Sequence, residues 1–210
     1  MKELSVARLD IMPEKINGKE LSASMDTLTR HSLDHVPWPD YPYKPAVQFS
    51  IAHNGDHIFL KYVVNEKSTR AVNSIINSPV WEDSCVEFFL GFDEEGYYNF
   101  EFNCMGTPLV GFGKDKTDRV LLPEDIIRKI GIYSNQGKTT DLVHWELIIS
   151  IPVPVFIRHS HHSLNGLRCR ANFYKCGDLL PDPHFVTWAS ITSSKPDFHL
   201  PAYFGHIRFE

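Results

Sequence analysis

A chain of 210 residues, 42% hydrophobic and 22% charged, with 21 Lys plus Arg against 26 Asp plus Glu and a formal net charge of −5, has the make-up of an ordinary soluble globular protein. At about 150 residues per domain the length allows one or two domains, and β-sandwiches of roughly 200 residues are common, so one domain over residues 1–210 is expected. The mild acidity and the lack of a Lys/Arg cluster argue against a nucleic-acid partner, and no apolar run reaches the roughly 18 to 20 residues of a membrane span. The opening MKELSVARLD lacks the apolar stretch of a signal peptide. The chain is therefore expected to be cytoplasmic, or secreted or periplasmic if a leader has been trimmed. Cys85, Cys104, Cys169 and Cys176 form no C-x-x-C pair and read as small buried hydrophobes, with a single bridge left open for an exported chain.

In chain order, residues 46–65 alternate apolar and polar side chains on either side of His53-Asn54-Gly55-Asp56, which reads as a β-hairpin turn. A second hairpin is expected from 85–92 (CVEFFLGF) and 97–105 (YYNFEFNCM), with 108–113 as a third strand. Residues 123–130 (PEDIIRKI), with Pro and two acids in the first turn, are the one helix expected. Further strands are expected at 143–151, 167–175, 185–189 and 203–209. The pattern predicts an all-β fold, an antiparallel β-sandwich of jelly-roll or immunoglobulin-like kind with long connections.

Period-two parity sorts these strands into faces. Val86, Phe88 and Leu90 oppose Cys85, Glu87 and Phe89; Tyr98, Phe100 and Phe102 oppose Asn99, Glu101 and Asn103; Cys169, Ala171 and Phe173 oppose Arg168, Arg170, Asn172 and Tyr174. The apolar sets are the expected core. The other set, rich in amide, carboxylate and guanidinium groups, suits a hydroxyl-rich ligand, or is a solvated outer face.

Residues 78–106, SPVWEDSCVEFFLGFDEEGYYNFEFNCMG, resemble the signature region of the family 9 carbohydrate-binding modules; the hairpin at 47–66 and the closing segment 186–210 (VTWAS, then PDFHLPAYFGHIRFE) are similar to other parts of the family. The resemblance implies a sandwich that grips the end of an oligosaccharide or polysaccharide between two indole rings above hydrogen-bonding side chains. It implies that Trp81 falls on the first clamp position and Glu87 on the acidic contact. Phe198 stands at the second clamp position in place of Trp, and Glu101 where the family carries an arginine. Glu87 and Glu101 would then face one another, and Arg168 or Arg170 is expected to supply the guanidinium that relieves them.

Trp81, Phe198, Glu87, Glu101, Asn103, Arg170 and Asn172 are thus the expected ligand-binding residues, in a non-catalytic module accessory to polysaccharide breakdown. Trp145 and Trp188 read as structural, and Trp38 as a cover or binding edge. Because the sandwich needs the whole length, any enzyme is expected on a separate chain. The rival readings are a glycoside hydrolase using Glu87 and Glu101, and a sandwich that has lost sugar binding and mediates protein interaction. No G-x-S-x-G, H-E-x-x-H, P-loop or Rossmann fingerprint supports an enzyme. His159, His161 and His162 read as a solvated loop. No cofactor is expected to be required, though the resemblance implies structural calcium as an option, with Asp93, Glu94 and Glu95 offering oxygen ligands.

Overall fold

The computed structural model describes residues 2–138, 141–160 and 162–210; His161 lies outside the described residues. The alternating segments become strands: β1 (Glu3–Arg8), β2 (His31–Ser32), β3 (Ala46–His53), β4 (His57–Glu66), β5 (Cys85–Gly91), β6 (Tyr97–Asn103), β7 (Pro108–Gly113), β8 (Val120–Leu121), β9 (Gly131–Lys138), β10 (Val143–Pro152), β11 (Arg168–Cys176), β12 (Phe185–Thr187) and β13 (Gly205–Phe209). Two helices, α1 (Gly18–Met25) and α2 (Glu124–Ile127), lie in the connections.

The hydrogen-bonded order is β8-β7-β6-β5-β11-β13-β1-β3-β4-β10-β9, with β12 beside β11 and β2 beside β3. Among the described residues only β1 pairs in parallel: its first four residues, Glu3 to Val6, with β13, and its last two, Ala7 and Arg8, with β3. It therefore belongs to both layers, and the sheet curls at this strand into a sandwich. The ring of Phe49 on β3 stacks on Phe173 of β11 at 3.9 Å, and Phe88 of β5 stacks on Phe173 at 5.0 Å. Tyr62 on β4 donates its hydroxyl to the Glu87 carbonyl at 2.8 Å, tying the layers together.

The β3–β4 turn forms as its Asn-Gly pair dictates: Gly55 takes φ +99°, and Asn54 Oδ1 accepts from the amides of Asp56 and His57. One end of the sandwich is plugged by charge. Lys175 Nζ lies 3.0 Å from the Glu66 carboxylate, which also accepts from Trp145 Nε1 at 2.7 Å, all fully buried. Such a pair is tolerated only when its donors and acceptors find partners, and His184, held neutral by burial with its pKa down to about 3, stands 2.7 Å from the same ammonium.

Four strands, β1, β2, β8 and β9, and the helix α1 go beyond the sequence-based elements. The signal for α1 lies in Asn17 and Glu20: Asn17 Oδ1 accepts from the amides of Lys19 and Glu20 while Glu20 Oε2 accepts from the Asn17 amide, a reciprocal cap. Its body, GKELSASM, carries too few apolar residues for periodicity to reveal it. The helix expected over 123–130 is confined to α2, 124–127.

Candidate functional site

On β5, β6 and β11 the apolar parity set faces the inter-layer core. The opposite set differs from a solvated face. Trp38, Val80, Ile191, Phe198 and Phe204 from the connections close over it with Phe89, Tyr97 and Tyr174, forming a second apolar cluster. Beneath this cover Glu87, Asn99, Glu101, Asn103 and Asn172 are 3% exposed or less.

A cleft of about 150 Å³ passes through the cover to the strands. Trp81, Phe185 and Phe198 give it aromatic walls, Glu87 and Glu101 its floor, and Arg119, Lys116, Asp178 and His199 its polar rim. Trp81 is half-buried in a short 3-10 turn, its carbonyl accepting from the Asp178 amide at 3.2 Å, which fixes the turn against the end of β11. Phe198 lies parallel to Tyr174 at 4.2 Å and is nearly buried, so it is a packed wall and not a projecting plate.

Glu87 and Glu101 are direct cross-strand partners on β5 and β6. Like charges at that range repel unless something intervenes. Arg119 Nη1 donates to Glu101 Oε1 at 2.9 Å, and Asn99 Nδ2 donates to the same oxygen at 2.9 Å. Among the described residues Glu87 receives a hydrogen bond from the Cys176 thiol alone, with Sγ 3.1 Å from Oε1. Burial, and then the charge of Glu101, push the Glu87 carboxyl well above the usual range; burial also raises Glu101, with Arg119 holding it back. The floor therefore presents a carboxyl that favours its proton, Glu87, beside one bonded to a guanidinium, Glu101.

His199 completes the rim. Burial and the Arg119 charge drive its pKa down to about 3, so it is a neutral imidazole. Its Nε2 lies 3.4 Å from Arg119 Nη1 and its Nδ1 2.8 Å from the Tyr97 hydroxyl. Because guanidinium can only donate, Nε2 accepts and Nδ1 carries the proton, an assignment that follows from the hydrogen-bond pattern. Asp178 is pushed up to about 6 by burial, against the pull of Lys116. Donors, acceptors and flat apolar walls in one small cleft match the edges and faces of a polyol ring.

Of the seven residues singled out from sequence, Trp81, Phe198, Glu87 and Glu101 converge here. The other three do not. Asn172 spends its amide on the backbone, donating to the Ala189 carbonyl and accepting from the amides of Ala189 and Phe173. Asn103 donates to the Asn73 carbonyl at 2.7 Å and to Asp83 at 3.0 Å, holding the 70–84 connection. Arg170 sits opposite Gly91, pairs with exposed Glu94 at 3.1 Å, and lines a different cleft with Tyr97 and Phe204.

Arg168 pairs across from Arg208 and is exposed, so neither expected arginine relieves Glu87 and Glu101. Arg119 does, and the sequence signal for it is the alternation Gly111-Phe112-Gly113. A Cβ at Gly111 would come within 2.9 Å of the Arg119 side chain and one at Gly113 within 2.7 Å of its Cα, so only glycines let this arginine lie across β7 to reach Glu101. Lys116, Asp178 and Cys176 likewise emerge only from the tertiary arrangement.

Two of the three oxygen donors offered for calcium are already engaged. Asp93 accepts from the Glu95 amide and from His159 Nε2, and Glu94 pairs with Arg170. Among the described residues the group closest to a metal-ligand arrangement is Cys85, Glu87 and Cys176, with ligand atoms within 4.8 Å of one another; two thiols suit a soft ion and not calcium.

A curled β-sandwich with an aromatic-walled, hydrogen-bonding cleft over one layer defines a small β-rich module. The sequence profile of carbohydrate-binding family 9 matches residues 19–209, and the chain belongs to that family. A crystal structure of a candidate carbohydrate-binding protein from Bacteroides uniformis ATCC 8492 is similar over 100% of this chain and 99% of its own, with 41% identity and a TM-score of 0.93. Two structures of a family 9 module from Caldicellulosiruptor kristjanssonii share the fold. The glucose complex has 13% identity and a TM-score of 0.61, covering 100% of this chain and 96% of its own. The cellotriose complex has 14% identity and a TM-score of 0.64, covering 100% and 94%. No curated protein matches the sequence. Among the described residues no helix is long and apolar enough to cross a membrane.

Proposed function

We propose that the chain binds the terminal ring of an oligosaccharide or polysaccharide in the cleft beneath Trp81, without cleaving it, as an accessory to polysaccharide breakdown. The observation that carries this reading is the floor of the cleft: a neutral Glu87, able to donate or accept, beside the Arg119–Glu101 pair, set between Trp81 and Phe198. Sugar hydroxyls need paired donors and acceptors, and the ring's C–H face needs a flat apolar platform. Membership of the family and the glucose and cellotriose complexes of the Caldicellulosiruptor module support it. The asymmetry of a Glu87 raised further than the Arg119-bound Glu101 resembles a hydrolase acid and base, but Glu101 Oε1 is already held by two donors and is poorly placed to attack. The reading requires no metal or other cofactor.

Isothermal titration against glucose, cellotriose and a panel of other sugars tests it, with chromatography of the recovered sugar to detect cleavage. Saturable heat, intact sugar and at least tenfold weaker binding by Trp81→Ala are expected, the order of loss for truncating a central aromatic contact. No heat from any sugar with folded protein would overturn it and turn the search to protein partners.

A further inference from the structure

The charges in the cleft do not balance, and the imbalance is local. Glu87, Glu101, Asp178 and Asp197 line it against Lys116 and Arg119, with His199 neutral. Arg119 is committed to Glu101. Asp197 caps the backbone amide of His199 at 2.9 Å. Lys116 is exposed, and its charge bears on Asp178 and His199. That leaves Glu87, 3% exposed, hydrogen-bonded to a thiol and, among the described residues, in no ion pair of its own, with only the charge of the Glu101-bound Arg119 drawing on it. A buried carboxylate takes up either a proton or a positive charge. Among the described residues, a positive charge bonded directly to Glu87 is the complement that is missing.

We propose that the preferred ligand is a hexose carrying a free amino group, whose ammonium is received by Glu87. The inference rests on the carbohydrate reading of the cleft and narrows it. An ammonium brings three donors and the missing charge in one group, and its bond to a carboxylate is about twice as strong as a neutral one. The aromatic walls Trp81, Phe185 and Phe198 favour a cation over their faces as well. A neutral hexose offers hydroxyl donors alone, and a uronic acid would add another negative charge to a cleft already short of positive ones. As the ammonium arrives, Glu87 passes its proton to the buffer; no covalent bond forms or breaks.

The test is titration of the chelator-treated full chain at pH 6.5 with glucosamine, N-acetylglucosamine, glucose and glucuronate, repeated in two buffers of different ionisation enthalpy. Glucosamine is expected to bind roughly tenfold tighter than glucose or the N-acetyl form, the order of one charge-assisted bond over a neutral one, with glucuronate weakest. Proton release should accompany glucosamine alone. The near-isosteric Glu87→Gln, checked for folding by circular dichroism, should lose the preference, so that the ratio of glucosamine to glucose affinity falls to about one. Equal or tighter binding of glucose, a preference that survives Glu87→Gln, or one that appears only when zinc is restored to the Cys85, Glu87 and Cys176 group would each overturn the proposal while leaving the carbohydrate reading intact. Absence of binding by all four sugars would overturn this proposal, and absence of binding by cellotriose and the wider panel as well would overturn both.

Discussion

The two faces of β5, β6 and β11 are equally buried for opposite reasons. Phe88, Phe100 and Phe173 on the inner face are fully buried because apolar area leaves water, a gain that does not depend on direction. Glu87, Glu101 and Asn172 on the outer face are within 3% of full burial, yet each polar atom there must find a specific partner. Asn172 and Glu101 find theirs within the chain. Glu87 has only a thiol. Burial alone therefore does not separate scaffold from site; the partner of each buried polar group does.

The largest effect should come from breaking the inner face. Phe173→Ala removes the ring that Phe49 and Phe88 both stack against and should cost about 3 to 5 kcal/mol in urea unfolding, enough to unfold a marginal domain. Phe198→Ala, in the cover of the outer face, should cost less, about 2 to 3 kcal/mol, because loops relax around a truncation more readily than paired strands. The variant still matters for binding, since Phe198 holds Tyr174 in register and walls the cleft. If its stability falls as far as that of Phe173→Ala, the cover is a second core and not a lid.

The inner face was legible in the sequence because period-two alternation follows from strand geometry alone, so Val86, Phe88 and Leu90 could be placed without tertiary information. The family resemblance likewise pointed to Trp81 and Glu87. Parity could not show that the outer face is roofed over, because the roofing residues, Trp38, Ile191 and Phe204, lie in Pro-rich connections whose path no local rule dictates. Nor could it choose between arginines. Arg170 has the right parity but sits opposite Gly91, beyond reach of Glu87, while Arg119 has no strand of its own and depends on two glycines of a neighbouring one.

The pH dependence of stability sharpens the contrast, because the apolar side chains Phe88, Phe100 and Phe173 do not titrate and Glu87 on the outer face does. Glu87 holds its proton when folded and releases it when unfolded above the ordinary carboxyl value of 4.5. At this group the folded state thus binds more protons than the unfolded state, and the contribution of Glu87 to stability falls as pH rises from 4.5 toward the raised value, by up to about 1.4 kcal/mol per pH unit, against the opposite trend of His184 and His199 below 6.5. Below 4.5 both states are protonated and the full contribution remains. Glu87→Gln should remove this falling contribution above about pH 5 in urea melts. An unchanged slope would mean that Glu87 is ionised in the folded protein and that a cation within the chain balances it.

The smallest effect is expected at Arg170, which has the outer-face parity without the outer-face burial. Its side chain is 32% exposed and its partner Glu94 is 88% exposed, so the pair is screened by water. Arg170→Ala should change stability by less than about 0.5 kcal/mol and leave sugar affinity at Trp81 unaltered in titration calorimetry. Tyr97 stands between the two clefts, its hydroxyl bound to His199 on one side while the other cleft runs along it with Arg170 and Phe204. A fall in affinity for cellotriose but not for glucose on Arg170→Ala would therefore mean that a longer ligand passes Tyr97, making the second cleft a continuation of the first; equal affinities for both confine recognition to a single terminal ring.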